Sequence, residues 1–269
     1  SRAYVTEDEF AKYAGIHNLN EDVIRNSYDA VFHLVTSADG AEEYYGKETN
    51  IFRREESLEK AREVDTNVMA VWTGTPHLRI IDNSTDFDTK LKRLLKEVVA
   101  FLGIPKPLEI ERKFLIEYPD IKFLNSIKTC RRIPITQAYL TTPEEGYFRI
   151  RKRGEDDRAV YIKTVKIKIS DIKRIEIENY ISKEQYDSYL AQRQYVTGVI
   201  SKDRYCIVDN NTYYELDVYP FWNDRATIEI ELLSEDQRYQ LPKFVKLIRE
   251  VSSEPDYRNL ALAQKYGKP

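Results

Sequence analysis

The chain predicts an α+β protein: an eight-stranded antiparallel β-barrel with covering helices, preceded by a smaller α/β layer. Three observations carry that expectation. Between Leu108 and Leu232, apolar and charged residues alternate in one segment after another, the mark of strands with two unlike faces. Before residue 105 the texture changes to strand, helix, strand, helix, the rhythm of parallel strands layered with helices. Between the two, IPKPLE (104–109) carries two prolines, which end helices and stiffen linkers, so the domains are drawn at 1–105 and 106–269.

In the first part, TEDEFAKYAGI reads as a helix capped at Thr6. AVFHLVT (30–36) and LRIID (78–82) are short apolar runs that suit strands buried on both faces. RREESLEKAREVDTNVMAVW (53–72) is helical, with acidic residues early and Leu58, Ala61 and Val64 at helical spacing. STDFDTKLKRLLKEVVAFLG (84–103) is a second helix, with Ser84 or Thr85 as its cap and Gly103 as its stop.

From Leu108 the chain is nearly all strand. Glu109, Glu111 and Lys113 share one face of the first strand. Later strands repeat the device with Arg149, Arg151 and Arg153; with Thr164, Lys166 and Lys168; with Arg174, Glu176 and Glu178; with Lys202 and Arg204; with Glu215 and Asp217; and with Glu229 and Glu231. If the strands close, that face becomes the lumen and the apolar faces turn outward under helices. Turns fall at PEEG (143–146), GEDD (154–157) and DNN (209–211). Two helices interrupt the strands: SKEQYDSYLAQ (182–192), with a capping pattern of Ser182 and Gln185, and LPKFVKLIREV (241–251), with Phe244, Leu247, Ile248 and Val251 on one stripe.

Composition narrows the class. The 269 residues carry a net charge of −3, so nothing global draws the chain to nucleic acid or membrane. No apolar run is long enough for a spanning helix. Cys130 and Cys206 stand alone, which argues against a disulfide framework and fits a reducing cytoplasm. His17, His33 and His77 have no ligand spacing and read as surface or structural.

The lumenal charges suggest a chemistry. Glu109, Glu111, Glu215, Asp217, Glu229 and Glu231 offer hard oxygen donors of the kind that suit Mg²⁺ or Mn²⁺. Lys113, Arg149, Arg151, Lys166, Arg174, Lys202 and Arg204 form the opposing set, with forked or point-charge donors for phosphate. Together they describe a site for a short polyphosphate. Glu176 and Glu178 read either as further site residues or as salt-bridge partners of nearby cations.

The ordered set of motifs resembles the CYTH superfamily of triphosphate tunnel metalloenzymes over about residues 106–269. It comprises E-x-E-x-K at 109–113, QAYL at 137–140, FRIRKRG at 148–154, T-x-K at 164–166, KRIEIE at 173–178, SKDRY at 201–205, YELDVY at 214–219, IEIEL at 228–232 and YRNLALA at 257–263. The resemblance implies metal-dependent hydrolysis of a triphosphate held by the basic residues. It implies a first metal on Glu109, Glu111 and Glu231. Asp217 and Glu229 become candidates for a second metal or for positioning water, and Glu111, Asp217 and Glu229 the catalytic set. An adenylate cyclase using the same tunnel is one alternative; a catalytically silent polyphosphate or nucleotide sensor is another; a barrel with merely wet outer charges is the third.

Residues 1–105 resemble the C-terminal part of an AAA-like P-loop ATPase, on YDAVFHL (28–34), TSADGAEEYY (36–45), NIFRRE (50–55) and HLRIIDNSTDFDTKLKR (77–93). That resemblance makes Arg53 and Arg54 candidate lid arginines. No G-x-x-x-x-G-K-[ST] occurs in the chain, so a nucleotide here requires a P-loop upstream, and the expectation is that the chain starts partway into a longer protein.

Overall fold

The computed structural model describes residues 2–46, 57–104, 108–142, 146–155, 158–192, 196–232 and 234–268. Arg53 and Arg54, like residues 105–107 of the linker, lie outside the described residues.

The N-terminal unit opens with α1 (Glu7–Ile16), whose cap is the predicted one. Thr6 accepts from the Glu9 amide and the Glu9 side chain returns to the Thr6 amide, a reciprocal box. After α2 (Glu21–Asn26) come β1 (Val31–Leu34), α3 (Leu58–Trp72), β2 (Leu78–Ile81) and α4 (Phe87–Phe101). β1 and β2 pair in parallel, His33 opposite Ile80. The cap of α4 is Asp86, which accepts from the Thr89 amide, and not Ser84 or Thr85. Ser84 is instead turned toward Asp82, its hydroxyl donating at 2.6 Å. Gly103 ends α4 as predicted. At φ +71° its amide reaches Ala100 and that of Ile104 reaches Val99, the paired bonds of a left-handed helix stop.

The second part is a closed antiparallel barrel of eight strands: β3 (Leu108–Glu117), β4 (Cys130–Thr142), β5 (Gly146–Arg153), β6 (Val160–Lys168), β7 (Lys173–Ile181), β8 (Val196–Asp209), β9 (Thr212–Val218) and β10 (Arg225–Glu231). The order runs β10-β9-β8-β4-β5-β6-β7-β3, and β10 returns to pair with β3. The turn between β8 and β9 places Asn210 and Asn211 both at positive φ, the conformation a two-residue hairpin needs.

Alternation sorts the side chains as expected. Tyr205, Ile207, Leu216, Ile228 and Ile230 face outward in one apolar cluster, covered by Leu124 of α5 (Ile121–Ser126). Ala138, Leu140, Phe148 and Ile150 face outward under Tyr186 of α6 (Lys183–Ala191), whose Ser182–Gln185 capping box forms as predicted. Each such fully buried aliphatic or aromatic side chain is worth roughly 1.5–3 kcal/mol. A last helix, α7 (Asn259–Tyr266), buries Leu262 and Ala263 against Tyr139, Ile200 and Tyr219.

One predicted helix is a strand. In 241–251, Leu241, Phe244 and Val245 pack on the outer cluster, and residues Leu247–Glu250 form β11, antiparallel to β3. Leu247 and Ile248 stay exposed. β7 pairs with β3 only over Leu108–Ile110, so the rest of that edge of β3 carries open backbone groups, and β11 satisfies them.

The N-terminal unit is joined to the barrel by apolar contact. Met69 and Leu78 share a cluster with Val208 of β8, with Trp72, Ile80 and Tyr213 packed around it.

Candidate active site

A cavity of about 1400 Å³ runs through the barrel, lined by the charged faces of its strands. Register decides who meets whom. Glu231 stands opposite Glu111, and Glu229 stands between Lys113 and Glu215. Like charges facing across strands are costly unless cations intervene, and here they do.

One cluster centres on Arg204 of β8. Its guanidinium donates to Asp217 through two bonds of 2.7 Å, to Glu229 at 3.0 Å, and to Glu215. Lys202 reaches the same Asp217, and Lys113 reaches Glu229 at 2.7 Å. Asp217 is fully buried. Burial alone would raise its pKa, but Arg204 and Lys202 hold it below the usual carboxylate range. Burial, with Arg204 beside it, pushes the Lys202 ammonium down to about 7.

A second cluster spans β5, β6 and β7. Arg149 contacts Thr164 at 3.0 Å, Glu178 at 3.1 Å and Glu176 at 3.2 Å. Lys166 bridges Glu176 at 2.6 Å and Glu109 at 3.2 Å. Arg174 lies 3.5 Å from Glu109 and 3.8 Å from Glu111. Burial and the adjoining Glu176 push Glu109 well up. Burial opposes ionisation of Glu176 as well, yet Lys166 and Arg149 hold it well down.

Arg151 and Arg153 both line the cavity and form no ion pair among the described residues. Arg153 is buried and donates to the Gly74 carbonyl, whereas the half-buried Arg151 keeps a buried Nε without a hydrogen-bond partner. Burial and the nearby Arg149 lower its basicity. A guanidinium so placed on the cavity lining suits an anion.

Of the predicted site residues, all but Lys202 and Asp217 line one tunnel; those two are buried behind Arg204, and the set does not form one cluster. Lys113, Lys202, Arg204, Glu215, Asp217 and Glu229 come together. Arg149, Lys166, Arg174, Glu109, Glu176 and Glu178 form the other group, and Glu111 sits between. Hard carboxylate oxygens suit Mg²⁺ or Mn²⁺. As arranged, however, they do not form a metal site: among the described residues no three acidic, His or Cys groups are placed to hold an ion, and the carboxylates proposed as ligands lie against Lys or Arg.

Tunnel residues also come from outside the barrel, among them Arg79, Glu97 and His77. Arg79 of β2 pairs with Glu231 and approaches Glu97 of α4 at 3.5 Å. His77 approaches Glu178 at 3.6 Å; it is a tunnel-wall residue as well as a structural one. His77 and Arg79 flank the fully buried Leu78, a charged–apolar alternation that was available in the sequence but hidden in a short apolar run.

A CYTH domain model matches residues 107–266. The chain belongs to the CYTH family. Solved structures similar to this CYTH chain include the inorganic triphosphatase NE1496, at 29% identity over 60% of this chain and 97% of that one, with a TM-score of 0.39. Another is the PH1012 protein from Pyrococcus horikoshii, at 25% identity over 45% and 77%, TM-score 0.35. A third is the protein HpAC1 from Hippeastrum, described as having a dominant triphosphatase activity, at 15% identity over 46% and 80%, TM-score 0.34. A comparison with curated protein sequences returns no match. No helix among the described residues is long and apolar enough to cross a membrane.

Proposed function

We propose that this CYTH chain hydrolyses a triphosphate in its tunnel, either inorganic tripolyphosphate or a small organic triphosphate such as thiamine triphosphate or a nucleotide. The observation that carries this reading is the half-buried Arg151, which lines the tunnel beside Arg149 with no ion pair among the described residues and a buried Nε without a hydrogen-bond partner. A triphosphate supplies the missing charge. Water attacks the terminal phosphorus, the P–O bond to the bridging oxygen breaks, and orthophosphate leaves with a diphosphate.

In this reading Arg149, Arg151, Lys166 and Arg174 hold phosphoryl oxygens, and Lys113, Lys202 and Arg204 neutralise charge as it develops. Glu111 lies across from Glu231 with one loose cationic contact, which favours it over Asp217 and Glu229 for orienting water. Dependence on Mg²⁺ or Mn²⁺ is supported by the oxygen donors and the family resemblance. For residues 1–105, the likeness to the end of a P-loop ATPase rests on the sequence motifs alone; calorimetry with ATP tests it.

The deciding experiment measures phosphate and pyrophosphate release from tripolyphosphate, thiamine triphosphate and ATP, with Mg²⁺ and with Mn²⁺, using Glu111→Gln as control. Phosphate release that is lost in the variant supports the hydrolase. Pyrophosphate together with cyclic AMP from ATP selects the cyclase, and tripolyphosphate binding without turnover selects the sensor.

A further inference from the structure

We propose that the triphosphate held by the tunnel arginines carries an aromatic head group, and that the N-terminal unit reads that group through Phe101 and His77. The proposal rests on the reading of the tunnel as a triphosphate site. It narrows the substrate to an organic triphosphate with a planar ring, such as a nucleotide or thiamine triphosphate.

The tunnel is not charged along its whole length. Toward the end of α4, the same cavity is lined by Phe101 and Ile104 of the N-terminal unit and by Ile177 and Tyr180 of β7. All four side chains are exposed: Phe101 by 38%, Ile177 by 45%, Tyr180 by 49% and Ile104 by 56%. Large apolar side chains gathered open on the lining of a cavity mark a surface for a ligand.

Phe101 is held as a platform. The ring of Phe32 in β1 meets it edge-on, with centroids 6.2 Å apart and planes at 80°. The His77 ring meets it at 5.2 Å and 61°. Such edge contacts fix the orientation of an aromatic ring, and here they leave part of it open to the cavity. Phe32, His77 and Phe101 all lie outside the family-matched span, so the platform is supplied by the N-terminal unit and not by the barrel.

The platform adjoins the anion-binding groups. His77 stands 3.6 Å from Glu178, Glu178 stands 3.1 Å from Arg149, and Arg151 lines the same cavity. A polyphosphate on Arg149 and Arg151 therefore has an aromatic surface within reach of whatever its end carries. Tripolyphosphate, charged along its length, gains nothing from that surface. A planar ring does, because stacking on an aromatic side chain asks only for a π-face. Asp29, exposed on the cavity lining, offers an acceptor for amino or hydroxyl groups of the head. Size agrees: the cavity of about 1400 Å³ exceeds the roughly 300–1,000 Å³ usual for small-molecule sites.

The test is calorimetry on the full chain, first in EDTA and then with Mg²⁺, using ATP, thiamine triphosphate, methyl triphosphate and tripolyphosphate. Methyl triphosphate carries the phosphate chain of ATP without a ring. The expected result is that ATP or thiamine triphosphate binds at least about tenfold tighter than methyl triphosphate, the worth of a stacked ring. Which of the two shows the gain decides between a nucleotide and a thiamine ester. Phe101→Ala should weaken that ligand by roughly five- to a hundredfold and leave methyl triphosphate and tripolyphosphate within about twofold. Ringed and ring-free triphosphates that bind alike overturn the head-group site and leave the tunnel reading standing. So does a Phe101→Ala protein that loses tripolyphosphate as much as the ringed ligand. The comparison with methyl triphosphate needs no variant, so it decides even if Phe101→Ala fails to fold. Binding of no triphosphate in either condition overturns the tunnel reading and the head-group site together. Absent turnover with the ring preference intact overturns hydrolysis alone.

Discussion

Arg204 grips Asp217 with two parallel hydrogen bonds of 2.7 Å, Nε to Oδ1 and Nη2 to Oδ2, in the wall of the tunnel. Neither side chain is open to solvent: Asp217 is fully buried and Arg204 nearly so. The fork fixes the guanidinium in a plane from which Nη1 reaches Glu215 and Nη2, already on Asp217, also donates to Glu229. Asp217 thereby acts as the keystone of one half of the tunnel.

Asp217→Asn keeps the shape but removes the charge that two buried cations share. Breaking a buried ion pair from one side costs on the order of 3–5 kcal/mol. Urea unfolding of the variant should show a loss of that size. A change below about 0.5 kcal/mol, the scale of an ordinary surface substitution, contradicts the keystone role.

Arg151→Ala should cost far less stability. Its removal takes away one of the cations that hold Glu178 down, but Glu178 keeps Arg149 at 3.1 Å, so stability should fall only slightly. Binding of tripolyphosphate should weaken by roughly ten- to a hundredfold, the worth of a charge-assisted contact. Calorimetry paired with thermal melting separates the two effects. Unchanged affinity places Arg151 away from the anion.

Acid should loosen the β5–β7 wall. Glu178 is pulled from an ordinary 4.5 to about 2: burial opposes ionisation, but His77 and the guanidinia of Arg151 and Arg149 outweigh it. A depressed carboxylate adds stability that is fully present above its unfolded value and is lost as pH falls through the folded one. The window is therefore about pH 4.5 down to 2. His77→Ala should shift the onset of acid unfolding upward, which melting curves between pH 5 and 3 can follow. An unmoved onset removes His77 from the tunnel wall.

α7 docks through a close backbone approach that only glycine permits. A Cβ on Gly198 would stand 2.5 Å from the Ala263 carbonyl oxygen, where neither group can yield. Gly198→Ala should push α7 off β8 at a cost of about 1–3 kcal/mol, with faster hydrogen exchange over Leu262 and Ala263. Normal protection there contradicts the account.

By itself the sequence determined the barrel strands, the choice of face along each, and the caps at Thr6 and Ser182. Period-two alternation and capping chemistry act within a few residues and need no partner to be read. The tertiary structure decided which carboxylate meets which cation, because register and closure place Glu231 across from Glu111 and Arg204 across from Asp217. It also decided the fate of 241–251. Phe244, Leu247, Ile248 and Val251 fit a helical stripe, but the open edge of β3 beyond Ile110 offered unpaired backbone groups that a strand could satisfy. It brought Arg79 and His77, read as parts of a separate α/β layer, into the tunnel end, since the Met69–Leu78–Val208 core welds that layer to the barrel. Contacts between segments more than a hundred residues apart leave no local pattern, so only the folded chain reveals them.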